Sequence, residues 1–248
     1  MPRTSRRSRR SSPLHVPGAF ELFTPSKELV LKNIWIFGPI YAVSLIFYIH
    51  SWIWSPLPHQ SIQWWQHSDN FSSGWIGSSL PTYTTFALVG LSLFWLLIVG
   101  VIGTVAQIMA QTAQLDAVEN RPLDFQDLWK VVKEIGWRML GLYIVIGVFV
   151  VIGLFLLIIP GLILARRFFL APYAMIDKKL GIREALDEST RLTGLNTGSI
   201  WGIIGVMVLI GLLNIIPIVG GLVSFAVGCL YSVAPALRYQ QLKKLGAQ

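Results

Sequence analysis

Apolar residues are gathered along this chain into long stretches. Ile34–Trp54 runs 21 residues without a formal charge. Residues 83–113 form a longer stretch, apolar chiefly over 86–105, and 139–159, 200–217 and 218–237 form three more. A helix needs about 20 mostly apolar residues to cross the hydrocarbon core of a bilayer. Each of these five therefore predicts a transmembrane helix. A sixth stretch, 161–176, is short and interrupted by Arg166 and Arg167. The first apolar run is too long for a signal peptide, and no small-residue cleavage pattern follows it.

Positive charge decides what the sixth stretch does, because basic loops stay on the cytoplasmic side. Seven Lys and Arg lie in 1–32, four in 111–138, four in 177–198 and three from Arg238 onward. The loop 55–82 holds none and carries only Asp69. If 161–176 returns across the membrane, every basic segment lies inside. If it does not, the last two basic segments face outward. The pattern thus predicts six spans, both termini cytoplasmic, 55–82 as an outer loop, and a multi-pass protein of the inner (plasma) membrane.

Between the spans the period changes. Residues 124–138, DFQDLWKVVKEIGWR, place Phe125, Leu128, Trp129, Val132 and Ile135 on one helical face, with Asp124 at the start as a cap. Residues 182–193 repeat that face through Ile182, Ala185, Leu186, Ser189 and Leu192. Thr24-Pro25 offers an N-cap and an N1 proline to a short helix containing Leu29. Such amphipathic helices are expected to lie in the cytoplasmic interface, with docking of a protein partner as the rival reading. An internal repeat follows as well: IGVFVVIGLFLLIIP (146–160) matches IGVMVLIGLLNIIP (204–217) with one gap. Each copy is followed by an apolar arm ending in Ala-Pro, at Ala171-Pro172 and Ala234-Pro235.

Composition agrees with this picture. The 248 residues are 54% hydrophobic and 13% charged, with a net charge of +8. A soluble protein this apolar would lack polar residues to cover its surface. The expectation is an all-α polytopic membrane bundle: residues 1–22 a disordered Arg-rich cytoplasmic tail, and 23–245 one six-helix membrane domain with hairpin repeats. Interfacial helices are expected at about 124–138 and 182–193. The arginines of the tail suit adhesion to anionic lipid; no fold supports nucleic-acid binding.

The run IIPGLILARRFFLAPYAMIDKKLGIREALDESTRLTG resembles the bacterial membrane-domain family named after glycerophosphoryl diester phosphodiesterases, and related multi-pass membrane proteins. The resembling landmarks are Ile159-Pro160-Gly161, Arg166 or Arg167, Ala171-Pro172, and Ala185-Leu186 with Ser189 and Leu192. The resemblance covers about 120–245. Some members carry a soluble phosphodiesterase barrel after this domain. No segment of this sequence supplies one, so the resemblance implies a membrane domain and not that activity.

Catalytic chemistry finds no foothold. No acidic residue falls in the middle of a span, where an ion or proton path would need one. His50, His59 and His67 with Asp69 match no tight ligand spacing, so neither a metal nor another cofactor is expected. No phosphate-binding loop or nucleophile elbow is present. The candidate site is Arg166 and Arg167, as guanidiniums that hold an anionic lipid headgroup or a substrate phosphate, or that simply snorkel to the outer interface. Thr104, Gln107, Gln111 and Gln114 form a second polar stripe beside small residues, read as helix packing. Three functions stay open: a non-enzymatic protein organising lipids or membrane partners (a second copy of itself included), a small transporter or lipid translocator, or a membrane regulator of a separate enzyme.

Overall fold

The computed structural model describes residues 16–54, 82–216 and 219–247. The Arg-rich residues 1–15 and the loop 55–81, with His59, His67 and Asp69, lie outside the described residues. All described secondary structure is helical. Among the described residues ten helices follow in order: α1 (Phe23–Lys32), α2 (Ile34–Trp54), α3 (Thr82–Val118), α4 (Phe125–Leu156), α5 (Ile158–Phe168), α6 (Ala171–Lys178), α7 (Ile182–Leu195), α8 (Thr197–Leu212), α9 (Val219–Tyr231) and α10 (Ala234–Leu245). A short 3-10 turn, Leu213–Ile215, ends α8.

Among the described residues five helical stretches are long and apolar enough to cross a membrane: Ile98–Val118, Phe125–Leu156, Ile159–Lys178, Thr197–Ile215 and Val219–Leu245. A sixth arises if α1 and the first part of α2, which meet at a 100° bend, count as one span. The doubtful stretch with the two arginines reaches its length only by joining α5 to α6.

Local chemistry explains several boundaries. Asp124 caps α4 by accepting the Gln126 N–H at 3.2 Å. From there α4 continues without a break for 32 residues, so the amphipathic segment 124–138 is the first half of the same helix as the apolar run. Neither Trp137 nor Arg138 disfavours helix, and no proline interrupts until Pro160. That proline ends α4: its ring would clash with the Leu156 carbonyl four residues earlier, and Leu157 turns to extended backbone. The first helix starts at Phe23 and not at Pro25 behind a Thr24 cap; its N-cap is Leu22, without a side-chain cap, in an apolar cluster with Ile203, Val206, Tyr231 and Ala234.

Two tight hairpins dominate the apolar half. In the first, α4 turns into α5 with Gly153 against Gly161; a Cβ on Gly153 would stand 2.8 Å from the Gly161 Cα, and one on Gly161 would stand 2.6 Å from the Leu154 nitrogen. In the second, a Cβ on Gly220 of α9 would stand 1.9 Å from the Leu213 carbonyl oxygen. Both returning arms then break at the Ala-Pro pairs that open α6 and α10. The hairpins therefore share construction as well as sequence.

Burial is uneven. The core gathers at one end, from Ile108 to Ala117 on α3, Leu128 to Leu142 on α4, Ala171 to Met175 on α6 and Ala234 to Leu242 on α10. Beyond it the hairpins expose large apolar side chains, among them Val148, Phe155 (93% exposed), Leu162, Leu209 and Leu222. In water such a surface would aggregate or find a partner; against lipid it needs neither.

Residues 16–22, which composition assigned to the tail, are laid against the bundle. The Pro17 carbonyl accepts from Arg238 Nη2 at 2.8 Å and the Ala19 carbonyl from the Tyr231 hydroxyl at 2.9 Å. This strap brings the start of the described chain beside its last helix.

Candidate functional site

Arg166 and Arg167 occupy the last turn of α5, where the negative end of the helix dipole favours cations. They sit nine and ten residues past the turn at Leu157, so Arg166 lies about 13 Å from the hairpin tip at a helical rise of 1.5 Å per residue. The backbone beside them is pinned by α7. Ser189 donates its hydroxyl to the Arg167 carbonyl at 2.6 Å and accepts the Leu170 N–H at 3.2 Å, bridging the break between α5 and α6. Phe168 packs on Phe149 of α4, with ring centroids 6.1 Å apart.

The two guanidiniums differ in exposure. Arg167 is exposed; Arg166 is half-buried, and its Nε is shut away without a hydrogen-bond partner. Among the described residues no carboxylate pairs with either. Three acids of α4, α6 and α7 are engaged elsewhere: Glu188 with Arg191 (2.8 Å) and Lys178 (2.7 Å), Glu134 with Lys179 (2.8 Å), and Asp177 with Lys243 (2.6 Å). Hydrogen bonds from Arg191, and next from Lys178, pull the Glu188 carboxyl down to about 2. These pairs knit α6, α7 and α10 together at the packed end, leaving the α5 arginines as unneutralised charge.

The glutamine stripe divides. Gln111 accepts the Tyr143 hydroxyl of α4 at 2.8 Å, and Gln114 accepts the Tyr173 hydroxyl of α6 at 2.8 Å. Both tie α3 to its neighbours. Gln107 is exposed and makes no hydrogen bond among the described residues; Thr104 bonds back to the Gly100 carbonyl at 2.8 Å. Gln107 and Gln114 line a cavity of about 430 Å³ between α2 and α3 on one side and α8 and α9 on the other. The arginines do not reach it. The structure thus keeps apart the two polar features that the sequence offered: the arginine backbone is held by α7, while Gln107 and Gln114 line the cavity.

Other polar residues belong to these sites without having been foreseen. Tyr41 of α2 shares a hydrogen bond with Ser232 beside Gln114. Arg238 is fully buried, its Nη1 on Gln241 and its Nη2 on Pro17, with Nε unpartnered. Tyrosines recurring in apolar spans opposite an amide stripe were the available signal for Tyr41, Tyr143 and Tyr173; nothing local marks Arg238. Among the described residues no cluster of three His, Cys, Asp or Glu could hold a metal.

No family model, curated protein or solved structure matches this chain.

Proposed function

We infer that the protein is a non-catalytic, six-span membrane protein that binds anionic lipid headgroups at Arg166 and Arg167, with both termini in the cytoplasm. The observation that carries this reading is a pair of guanidiniums, unpaired with any carboxylate among the described residues, at the base of a hairpin whose outer surface is apolar. A phosphate is the ligand such a pair suits, since guanidinium N–H groups match its oxygens in charge and geometry. Trp137 and Trp201, both exposed near the packed end, support an interface at that level. The distribution of basic residues supports that end as cytoplasmic, with α7 lying in the interface. The resemblance to the phosphodiesterase-associated membrane domain implies a membrane domain, in keeping with this reading.

The test is lipid co-purification. Protein carrying Arg166→Leu and Arg167→Leu together, extracted from membranes containing phosphatidylglycerol, should retain at least fivefold less of it than the wild type, with phosphatidylcholine unchanged. Equal retention by a folded double variant would sink the proposal. A second reading, passage of a small molecule or lipid between the bundle halves, is favoured by the polar cavity; it predicts flux in vesicles that the arginine substitutions leave intact.

A further inference from the structure

The cavity between α2–α3 and α8–α9 is a candidate binding site separate from the arginines. At about 430 Å³ it lies in the range of small-ligand pockets, roughly 300–1,000 Å³. Its lining contains no formally charged side chain. A charged ligand there would surrender hydration without gaining a counter-ion. The site therefore selects against ions and phosphates, the ligands the arginine pair suits.

What the walls offer is hydrogen bonding of both senses beside aromatic faces. Gln107 of α3 presents an amide donor and a carbonyl acceptor, and Ser44 of α2 a hydroxyl; neither side chain has a partner among the described residues. Deeper in, Gln114, Tyr41 and Ser232 form a hydrogen-bonded floor with Tyr173. Ser224 of α9 is already engaged, donating to the Ile210 carbonyl at 2.7 Å and accepting from Asn214 at 2.9 Å. The free capacity is thus concentrated at Gln107 and Ser44, with Tyr41, Tyr173 and Tyr231 also in the lining. Amides and hydroxyls that exchange donors for acceptors, set against aromatic rings, match a chain or ring of vicinal hydroxyls, whose own groups also serve in both senses. An isolated polar group facing hydrocarbon costs free energy, so Gln107 is better served by such a ligand than by acyl chains.

We propose that this cavity binds an uncharged polyhydroxyl group, either the glycosyl or glycerol headgroup of a neutral lipid or a free polyol. Gly211 is a wall position where bulk can be added. It lines the cavity, and a Cβ placed on it meets nothing within 4 Å, so a larger side chain fits there without a clash.

The experiment uses the full chain in phosphatidylcholine nanodiscs doped with monoglucosyl diacylglycerol of the same acyl composition. Native mass spectrometry of the released protein counts retained lipid, and calorimetric titration with free glucose and with glycerol tests the soluble source. The wild type should enrich the glucosyl lipid at least fivefold over phosphatidylcholine, or bind one of the free polyols. Gly211→Leu and Gln107→Leu should each lower that binding at least fivefold while the helical melt is unchanged; Gln107 is exposed and unbonded, so its replacement leaves folding alone. Enrichment of the lipid without binding of the free compounds assigns the site to a headgroup, and the converse assigns it to a solute. Absence of both, or wild-type binding by either folded variant, overturns the proposal.

Discussion

Ser189 donates its hydroxyl to the carbonyl of Arg167 at 2.6 Å, across 22 positions of sequence. Because the same oxygen accepts the Leu170 N–H, one side chain satisfies both backbone groups orphaned where α5 stops and α6 has yet to begin. Ser189 is fully buried, so water cannot take over. Ser189→Ala should therefore cost about 1–3 kcal/mol, the usual penalty for leaving buried polar groups unmet. Thr190→Ala should cost well under half of that, since the Thr190 hydroxyl only bonds back to the Leu186 carbonyl of its own helix. Denaturant unfolding of the two variants in detergent compares them directly; equal losses would refute the bridging role.

The hairpin glycines make a sharper contrast. Gly153→Ala would put a methyl 2.8 Å from the Gly161 Cα, against backbone that has nowhere to go. Overpacking of this kind costs typically about 1–3 kcal/mol. Gly147, nearly two turns earlier on the same helix, has open space where a methyl would stand, with nothing within 4 Å. Gly147→Ala should thus be neutral or stabilising by up to about 1 kcal/mol through helix propensity. Thermal melts followed by circular dichroism should move in opposite directions, or at least separate clearly. Matching shifts would mean that the hairpin relaxes around the added carbon.

Acid titration reports on α7. The Glu188 carboxyl sits at about 2 in the folded protein, below its ordinary 4.5, because Arg191 and then Lys178 bond its charged form. A depressed carboxyl stabilises the fold fully above its unfolded value, and that contribution fades as pH falls through 4.5 toward 2. Wild type should thus be more stable than Glu188→Gln at pH 6, and the gap should close by about pH 2. A gap that persists at the acid end would show that packing, not charge, sets the difference.

The long apolar stretches were legible because a bilayer demands some 20 residues of one character, a signal few other structures produce. The breaks that end the returning arms were legible for a similar reason: Pro172 and Pro235 act on their own neighbours. The join at Arg138 was not, since a change of period from amphipathic to wholly apolar alters which faces are buried without requiring the helix to stop. The glutamine stripe could be seen on α3, yet its division could not, because the Tyr143 and Tyr173 hydroxyls that engage Gln111 and Gln114 arrive from other helices. Arg238 was counted with the basic tail. Its buried place depends on a backbone carbonyl at Pro17, and a carbonyl leaves no trace in residue identity.

That contact also sets an order of events during synthesis. Pro17 leaves the ribosome 221 residues before Arg238, an interval of roughly 10–40 s at ordinary elongation rates of about 5–20 residues per second. For nearly all of it the strap has neither Tyr231 nor Arg238 to receive it, while the hairpins between are being made. The strap consequently docks only after the helices that follow it, and its docking is a mark that α10 has arrived.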